Sequence, residues 1–200
     1  MSDKKEDRRT EILMAALVAF AEKGYDKTSM DDIVRVSGLS KGTLYWYFKN
    51  KEALFLGIMD MIFNQFMSII DAFQASLSDH SAADMLRMLI QQAAEFFATD
   101  EKLVGLISDM FLQATQNPAK LQALAEFYER YISGLQTIIQ YGIDRGEFRS
   151  VDAHALAVAI SASFDGVGLQ LIIKPQMDTV AVLSTMIETI IQGLQHGDHD

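Results

Sequence analysis

Gly38-Leu39-Ser40-Lys41-Gly42-Thr43-Leu44-Tyr45-Trp46-Tyr47-Phe48-Lys49-Asn50-Lys51-Glu52-Ala53-Leu54 is the stretch on which the reading of this chain turns. Gly38 can take the positive φ that a sharp turn between two helices often requires. Ser40 caps the helix that follows, and Leu44 and Phe48, four residues apart, fall on one face of it. That face can lock a short rod onto its neighbours, leaving Lys41, Thr43, Tyr45, Trp46 and Tyr47 on the remaining surface near the N-terminus of the rod. Backbone N–H groups at a helix start favour phosphate, and Gly42, with no side chain, lets a base edge or sugar come close to the backbone. Asn50 then caps a further helix beginning at about Lys51.

Upstream, Ile12, Leu13, Ala16, Leu17 and Phe20 recur at helical spacing, and Gly24 after Lys23 is a stop signal. Thr28-Ser29-Met30-Asp31-Asp32 places acids three residues after hydroxyls, the capping-box pattern with Asp for Glu. The short helix it opens has Met30, Ile33 and Val34 as its apolar face. Three short helices with a tight glycine turn between the second and third describe a helix-turn-helix. Downstream, Ser81 with Asp84, Asn117 before Pro118, Asp152 and Asp178 each open a longer helical segment, and Pro175 closes one. No strand alternation persists, and the tail from His196 to Asp200 reads as disordered. The expected fold is all-α, with a three-helix helix-turn-helix domain over residues 1–51 and a larger helical domain over 52–200.

The Gly38–Leu54 stretch, with Thr28-Ser29-Met30-Asp31-Asp32-Ile33 before it, closely resembles the DNA-binding signature of the tetracycline-repressor (TetR) family of bacterial transcriptional regulators. The close resemblance covers about residues 8–57, and the remainder is similar only in length, helical content and the arrangement of its last helices. Ser37 stands where the family more often has alanine before the turn glycine, and both are small. The resemblance implies that Lys41, Gly42, Tyr45 and Trp46 face bases, while Thr43, Tyr47 and Lys51 anchor phosphates together with Thr28 and Ser29 from the second helix. It also implies a homodimer on a double-stranded, (pseudo)palindromic DNA operator, acting as a repressor that a small lipophilic effector releases. The domain over 52–200 would then bind the effector and dimerise.

Composition bounds the alternatives. Of 200 residues, 50% are hydrophobic and 22% charged, the balance of a globular protein. The absence of cysteine removes disulfides, cysteine-ligated zinc, iron–sulfur clusters and thiol catalysis, and points to a reducing, cytoplasmic location. Residues 1–51 carry ten Lys/Arg against eight Asp/Glu, whereas 52–200 carry seven against nineteen, a division that allows a basic tip on an acidic body. The longest run without a charged residue is thirteen, Tyr131 to Ile143, short of the roughly 18–20 needed to span a bilayer, so no membrane partner is expected. Residues 1–11 balance four bases with four acids, unlike the positive start of a secretory signal. In Gly38–Thr43 the lysine and glycine are in the wrong order for a phosphate loop. The four histidines are scattered and no HExxH or GxSxG occurs, so neither a catalytic residue, a metal nor a cofactor is expected. The competing reading is a helical small-molecule-binding protein or enzyme whose N-terminal helices are only structural.

In the body, Phe66, Met67, Met88, Phe96, Met110, Phe111, Tyr128, Tyr131 and Phe164 belong to a deformable apolar inventory suited to a lipophilic pocket. Asp165 interrupts the small, apolar run Ala162 to Gly168, where an unpaired carboxylate is costly to bury. It can face a ligand, cap a helix or pair across a dimer interface. The last two helices are the dimer candidates, the first rich in Ala and Gly, the second carrying Val182, Leu183, Met186, Ile187, Ile190 and Ile191.

Overall fold

The computed structural model describes residues 2–75, 80–99 and 101–195, excluding the side chains of 2–4, 66, 69, 70, 73–75, 96–99, 101–103 and 110. Among these every regular element is an α-helix: α1 (Ser2–Lys23), α2 (Met30–Ser37), α3 (Lys41–Tyr47), α4 (Lys51–Ala75), α5 (Ala82–Thr99), α6 (Glu101–Ala114), α7 (Pro118–Asp144), α8 (Ala153–Ile173) and α9 (Thr179–Gln195). The tail from His196 to Asp200 lies outside the described residues.

Local chemistry sets the boundaries. Ser29 caps α2 reciprocally, its hydroxyl accepting the Asp32 N–H at 3.1 Å while the Asp32 carboxylate accepts the Ser29 N–H at 2.9 Å. Gly38 ends that helix at φ 66°, a left-handed conformation a residue with a Cβ rarely adopts. Ser40, Asn50, Asp152 and Asp178 accept the N–H three residues on at 3.1, 2.8, 2.9 and 2.9 Å. α1 starts at Ser2, well before the apolar stripe begins at Ile12. Ion pairs at i,i+3, Arg8 with Glu11 and Arg9 with Glu6, support that first segment, where apolar side chains are absent.

The chain forms two compact units, residues 1–64 with 105–124, and residues 65–104 with 125–200. In the first, α1 packs on α2 and α2 on α3, over a core that includes Ile12, Phe20, Ile33, Leu44, Phe48 and Phe55. Lys120, on the first turn of α7, is only 4% exposed. Its ammonium lies 4.3 Å from the Tyr25 ring centroid and 4.1 Å from that of Phe55. Burial lowers its pKa, with the Glu52 and Asp26 charges opposing.

The second unit is built on Met85, Leu86, Ile138, Ile139, Leu183 and Ile187, with α5 and α8 both packed on α9. Arg87 of α5 forks onto Glu188 of α9 at 2.7 and 3.0 Å, a bidentate pair that is about two-fifths exposed and therefore modest in value. The connector between α7 and α8 closes two helix ends at once. The Glu147 carboxylate accepts the Ala82 and Ala83 N–H groups at 2.7 and 2.8 Å, at the positive end of α5. Arg149 donates to the Gly193 carbonyl at 2.8 Å through its side chain and to the Leu194 carbonyl at 2.8 Å through its backbone, at the negative end of α9.

The reading of spanning capacity needs one correction. α8, 21 residues at a mean hydropathy of 1.8, is long and apolar enough by composition to cross a bilayer. Asp165 divides its charge-free runs without lowering the average much, which is why a count of uncharged residues missed it. Ala157, Ile160, Phe164, Val167 and Leu171 of this helix are buried in the folded unit.

Candidate nucleic-acid interface

α3 is seven residues long, and its inward side is Leu44, fully buried, with Phe48 at its C-cap nearly so. The outward side carries aromatic bulk: Tyr45 is 41% and Trp46 67% exposed. Tyr45 is thus a surface residue and does not pack into the core. The Trp46 ring meets Tyr47 edge-on at 4.6 Å, and Tyr47 itself is half-buried. Gly42 has ordinary helical backbone, and a Cβ built there would meet only the Ser40 hydroxyl oxygen at 3.9 Å. No packing inside the protein therefore calls for glycine at that position.

Charges around α3 are organised by α2. Lys41 donates to Asp31 at 2.7 Å, and this contact raises the lysine pKa. Asp32 is held well below the usual carboxylate range, foremost by Lys23 and then by Ser29. Thr43, a half-exposed residue beside the helix start, shares a 2.8 Å hydrogen bond with Ser40. Ser29 is exposed but committed to its cap.

Two residues assigned to phosphate sit otherwise. Thr28 is 2% exposed and donates its hydroxyl inward, to the carbonyls of Gly24 at 2.8 Å and Ala19 at 3.1 Å, clamping the α1–α2 turn. This corrects the side-chain anchor expected there, because a hydroxyl near a helix terminus serves the local carbonyls before any external acceptor. Lys51 spends two ammonium protons on the carbonyls of Tyr25 and Asp26, at 2.7 and 3.2 Å, and lies 4.4 Å from the Tyr25 ring centroid. One N–H of its three remains for an outside partner.

Within the second unit, Tyr128 of α7 donates its hydroxyl to the Asp165 carboxylate of α8 at 2.6 Å. Phe127 stacks parallel on Tyr131 with centroids 5.7 Å apart and meets Tyr128 edge-on at 5.5 Å. Burial raises the pKa of both tyrosines, and the neighbouring carboxylate adds to it. Asp165, although exposed on one side, is raised too, by partial desolvation, with the Tyr128 hydrogen bond opposing. No cation pairs with it among the described residues. Phe164 and Met67 are buried, while Phe111, in the first unit, is half-buried. Met88 of α5 is 39% exposed beside the exposed Gln91 and Gln92. The side chains of Phe66, Phe96 and Met110 lie outside the described residues.

Residues 12–58 match the model of the bacterial regulatory proteins of the tetR family, and residues 82–196, more than half the chain, match that of the BetI-type transcriptional repressor C-terminal domain. The chain belongs to the TetR family of transcriptional regulators. A fatty acid metabolism regulator protein from Bacillus subtilis is 25% identical over 195 residues, covering 96% of this chain and 98% of that one. A TetR-family regulator from Syntrophomonas wolfei has a structure with a TM-score of 0.78 and 25% identity, covering 97% of this chain and 100% of that one. The Bacillus subtilis regulator FadR, solved in complex with stearoyl-CoA, shares the fold at a TM-score of 0.78, with 24% identity over 92% of this chain and 98% of its own.

In this TetR-family regulator the raised Asp165 pKa carries a signed consequence. A carboxyl whose folded pKa lies above its unfolded value of about 3.9 binds more protons when folded, so its contribution to stability falls as pH rises through the folded value. Asp165→Asn keeps an acceptor for Tyr128 and removes the charge. Because Asp165 is exposed on one side, the variant should melt only slightly above the wild type at neutral pH, and the two should converge as pH falls toward about 4. Thermal melts across that range check it, and a difference that grows on acidification would be the wrong sign.

Proposed function

We propose that this regulator binds a (pseudo)palindromic DNA operator as a homodimer, with α3 of each protomer in the major groove, and represses transcription until a small lipophilic effector releases it. The observation that carries the reading is the outward aromatic face of α3, where Tyr45 and Trp46 are exposed although the fold has inward positions to offer apolar groups. Lys41, Gly42, Tyr45 and Trp46 face bases. Thr43, Tyr47 and the backbone around Ser29 hold phosphates, and Lys51 contributes its remaining N–H. Functionally the chain divides into a DNA-reading part, residues 1–51, and an effector-binding and dimerising part, residues 52–200. It works in the cytoplasm and performs no catalysis.

Pairing through α8 and α9 is supported by the apolar groups these helices leave uncovered: Val158, Leu169, Ile172 and Ile173 on α8, Val180 and Val182 on α9. A twofold arrangement sets two reading helices on successive major-groove faces, about 34–36 Å apart or a multiple of a turn. The effector contacts Tyr128, Tyr131, Phe164 and Asp165. An anionic headgroup would meet a carboxylate that no cation neutralises among the described residues, so a neutral or cationic lipophilic compound fits better. The effector releases DNA only in so far as it binds the DNA-free state more tightly, and DNA weakens effector binding by the same factor.

Selection of bound fragments from a random duplex pool tests the reading. A palindromic or near-palindromic motif is expected, and no enrichment over non-specific binding overturns it. On the selected motif, Lys41→Ala should lose about fivefold to a hundredfold of discrimination at one base position, whereas Tyr47→Phe should weaken all sequences alike. Base preference unchanged in Lys41→Ala, read by competition with single-base variants, would reassign Lys41 to the backbone.

A further inference from the structure

We propose that Lys5 of α1 is a DNA-phosphate contact, extending the interface beyond the helix-turn-helix, an inference that rests on α3 entering the groove. The Lys5 ammonium lies 5.2 Å from the centroid of the Trp46 ring, within cation–π range of the most exposed aromatic on the reading helix. The first turn of α1 therefore reaches the face that would meet a duplex. The chain pattern hid this, because the apolar stripe of α1 begins at Ile12 while the helix begins at Ser2.

The charge surroundings of Lys5 set it apart. Arg8, Arg9, Lys23, Arg35 and Lys41 each face a carboxylate. Lys51 is turned onto backbone carbonyls. Of the other described cations in residues 1–51, Lys5, Lys27 and Lys49, it is Lys5 that lies against the Trp46 ring. Among the described residues Lys5 pairs with no carboxylate and donates to no acceptor, and its positive charge is held only against an indole face. An aromatic face attracts the charge but offers no lone pair to the ammonium protons, so three donors stay available. A cation already held beside the groove surface loses less freedom on meeting a phosphate than a free lysine does. Asp31 beside Lys41 would oppose phosphate, and among the described residues no carboxylate is in ion-pair contact with Lys5.

The experiment measures the affinity of the full-length protein for a duplex of random sequence across a series of potassium chloride concentrations. Each phosphate contact contributes about 0.9 to the slope of log affinity against log salt, which is about eightfold in affinity at roughly 0.1 M salt. Lys5→Ala should flatten the slope by about 0.9 for each protomer engaged and weaken binding by about that factor, with an unchanged melting temperature. Lys5→Arg should keep the wild-type slope. Arg145→Ala, which removes a positive charge from the other compact unit, should leave the slope as it is. An unchanged slope in Lys5→Ala, an equal flattening in Arg145→Ala, or a lowered melting temperature in Lys5→Ala overturns the proposal while leaving the role of α3 intact. A wild-type protein whose binding shows no salt dependence overturns the role of α3 itself.

Discussion

Gly42→Ala should give a protein that melts higher and binds DNA about tenfold or more weakly. A glycine inside a helix costs about 0.5–1 kcal/mol relative to alanine, because the unfolded chain loses more freedom there. The cost is normally tolerated where a Cβ would collide or where φ is positive. Neither holds at Gly42, whose helical backbone has open space above it apart from the Ser40 oxygen at 3.9 Å. Alanine should therefore raise the melting temperature by about 1–4 °C. If the space above Gly42 is where a base edge or sugar arrives, the added methyl forces the reading helix outward. Overpacking a fitted contact costs about 1–3 kcal/mol, which spans the stated loss. Melting and operator affinity measured on the same preparation separate the outcomes: a gain in stability with unchanged affinity would remove Gly42 from the interface, and a fall in both would make it a structural glycine.

Opposed signs of this kind mark where folding and function part company, and they also mark what a sequence discloses. The caps at Ser29, Ser40, Asn50, Asp152 and Asp178 were legible because donor and acceptor lie within three residues of each other, so short spacing carries the whole signal. Gly38 was legible because a sharp turn between two helices calls for a positive φ. The face of α3 followed from the i,i+4 pair Leu44 and Phe48, which leaves the aromatics outside. Contacts between distant segments were not legible. Nothing in Glu147-Phe148-Arg149 announces that the carboxylate reaches back 65 residues to the start of α5, or that the guanidinium closes α9. Lys120 reads as an ordinary helix lysine, yet it is buried against Tyr25 and Phe55. Thr28 failed differently: a hydroxyl beside a helix start can serve a phosphate or its own turn, and spacing alone does not choose.

The last turn of α7, packed against the connector that the sequence concealed, is also where a single methyl should do most damage. Gly142→Ala is expected to destabilise the protein by about 3 kcal/mol or more, lowering the melting temperature by roughly 6–12 °C. A Cβ at this position would lie 2.3 and 2.6 Å from two carbons of the Phe148 ring and 2.8 Å from the Ala82 Cβ, distances that real Cβ atoms do not show. None of these neighbours can step aside cheaply. Phe148 is buried in the core of the second unit, and Ala82 is fully buried on the first turn of α5. The Gly142 carbonyl also accepts the N–H groups of Glu147 and Phe148 at 2.9 and 3.1 Å, so displacing the ring strains the turn that aims Glu147 at the start of α5. A clash with a rigid ring thus propagates into a lost helix cap, two costs from one atom. Phe148→Leu should recover part of the loss when combined with Gly142→Ala, a non-additivity that a double-mutant cycle reads directly. Gly105→Ala, where a Cβ meets nothing within 4 Å, supplies the contrast and should be neutral or slightly stabilising. Equal melting temperatures for Gly142→Ala and Gly105→Ala would mean that the close approach of α7, Phe148 and α5 does not hold this unit together.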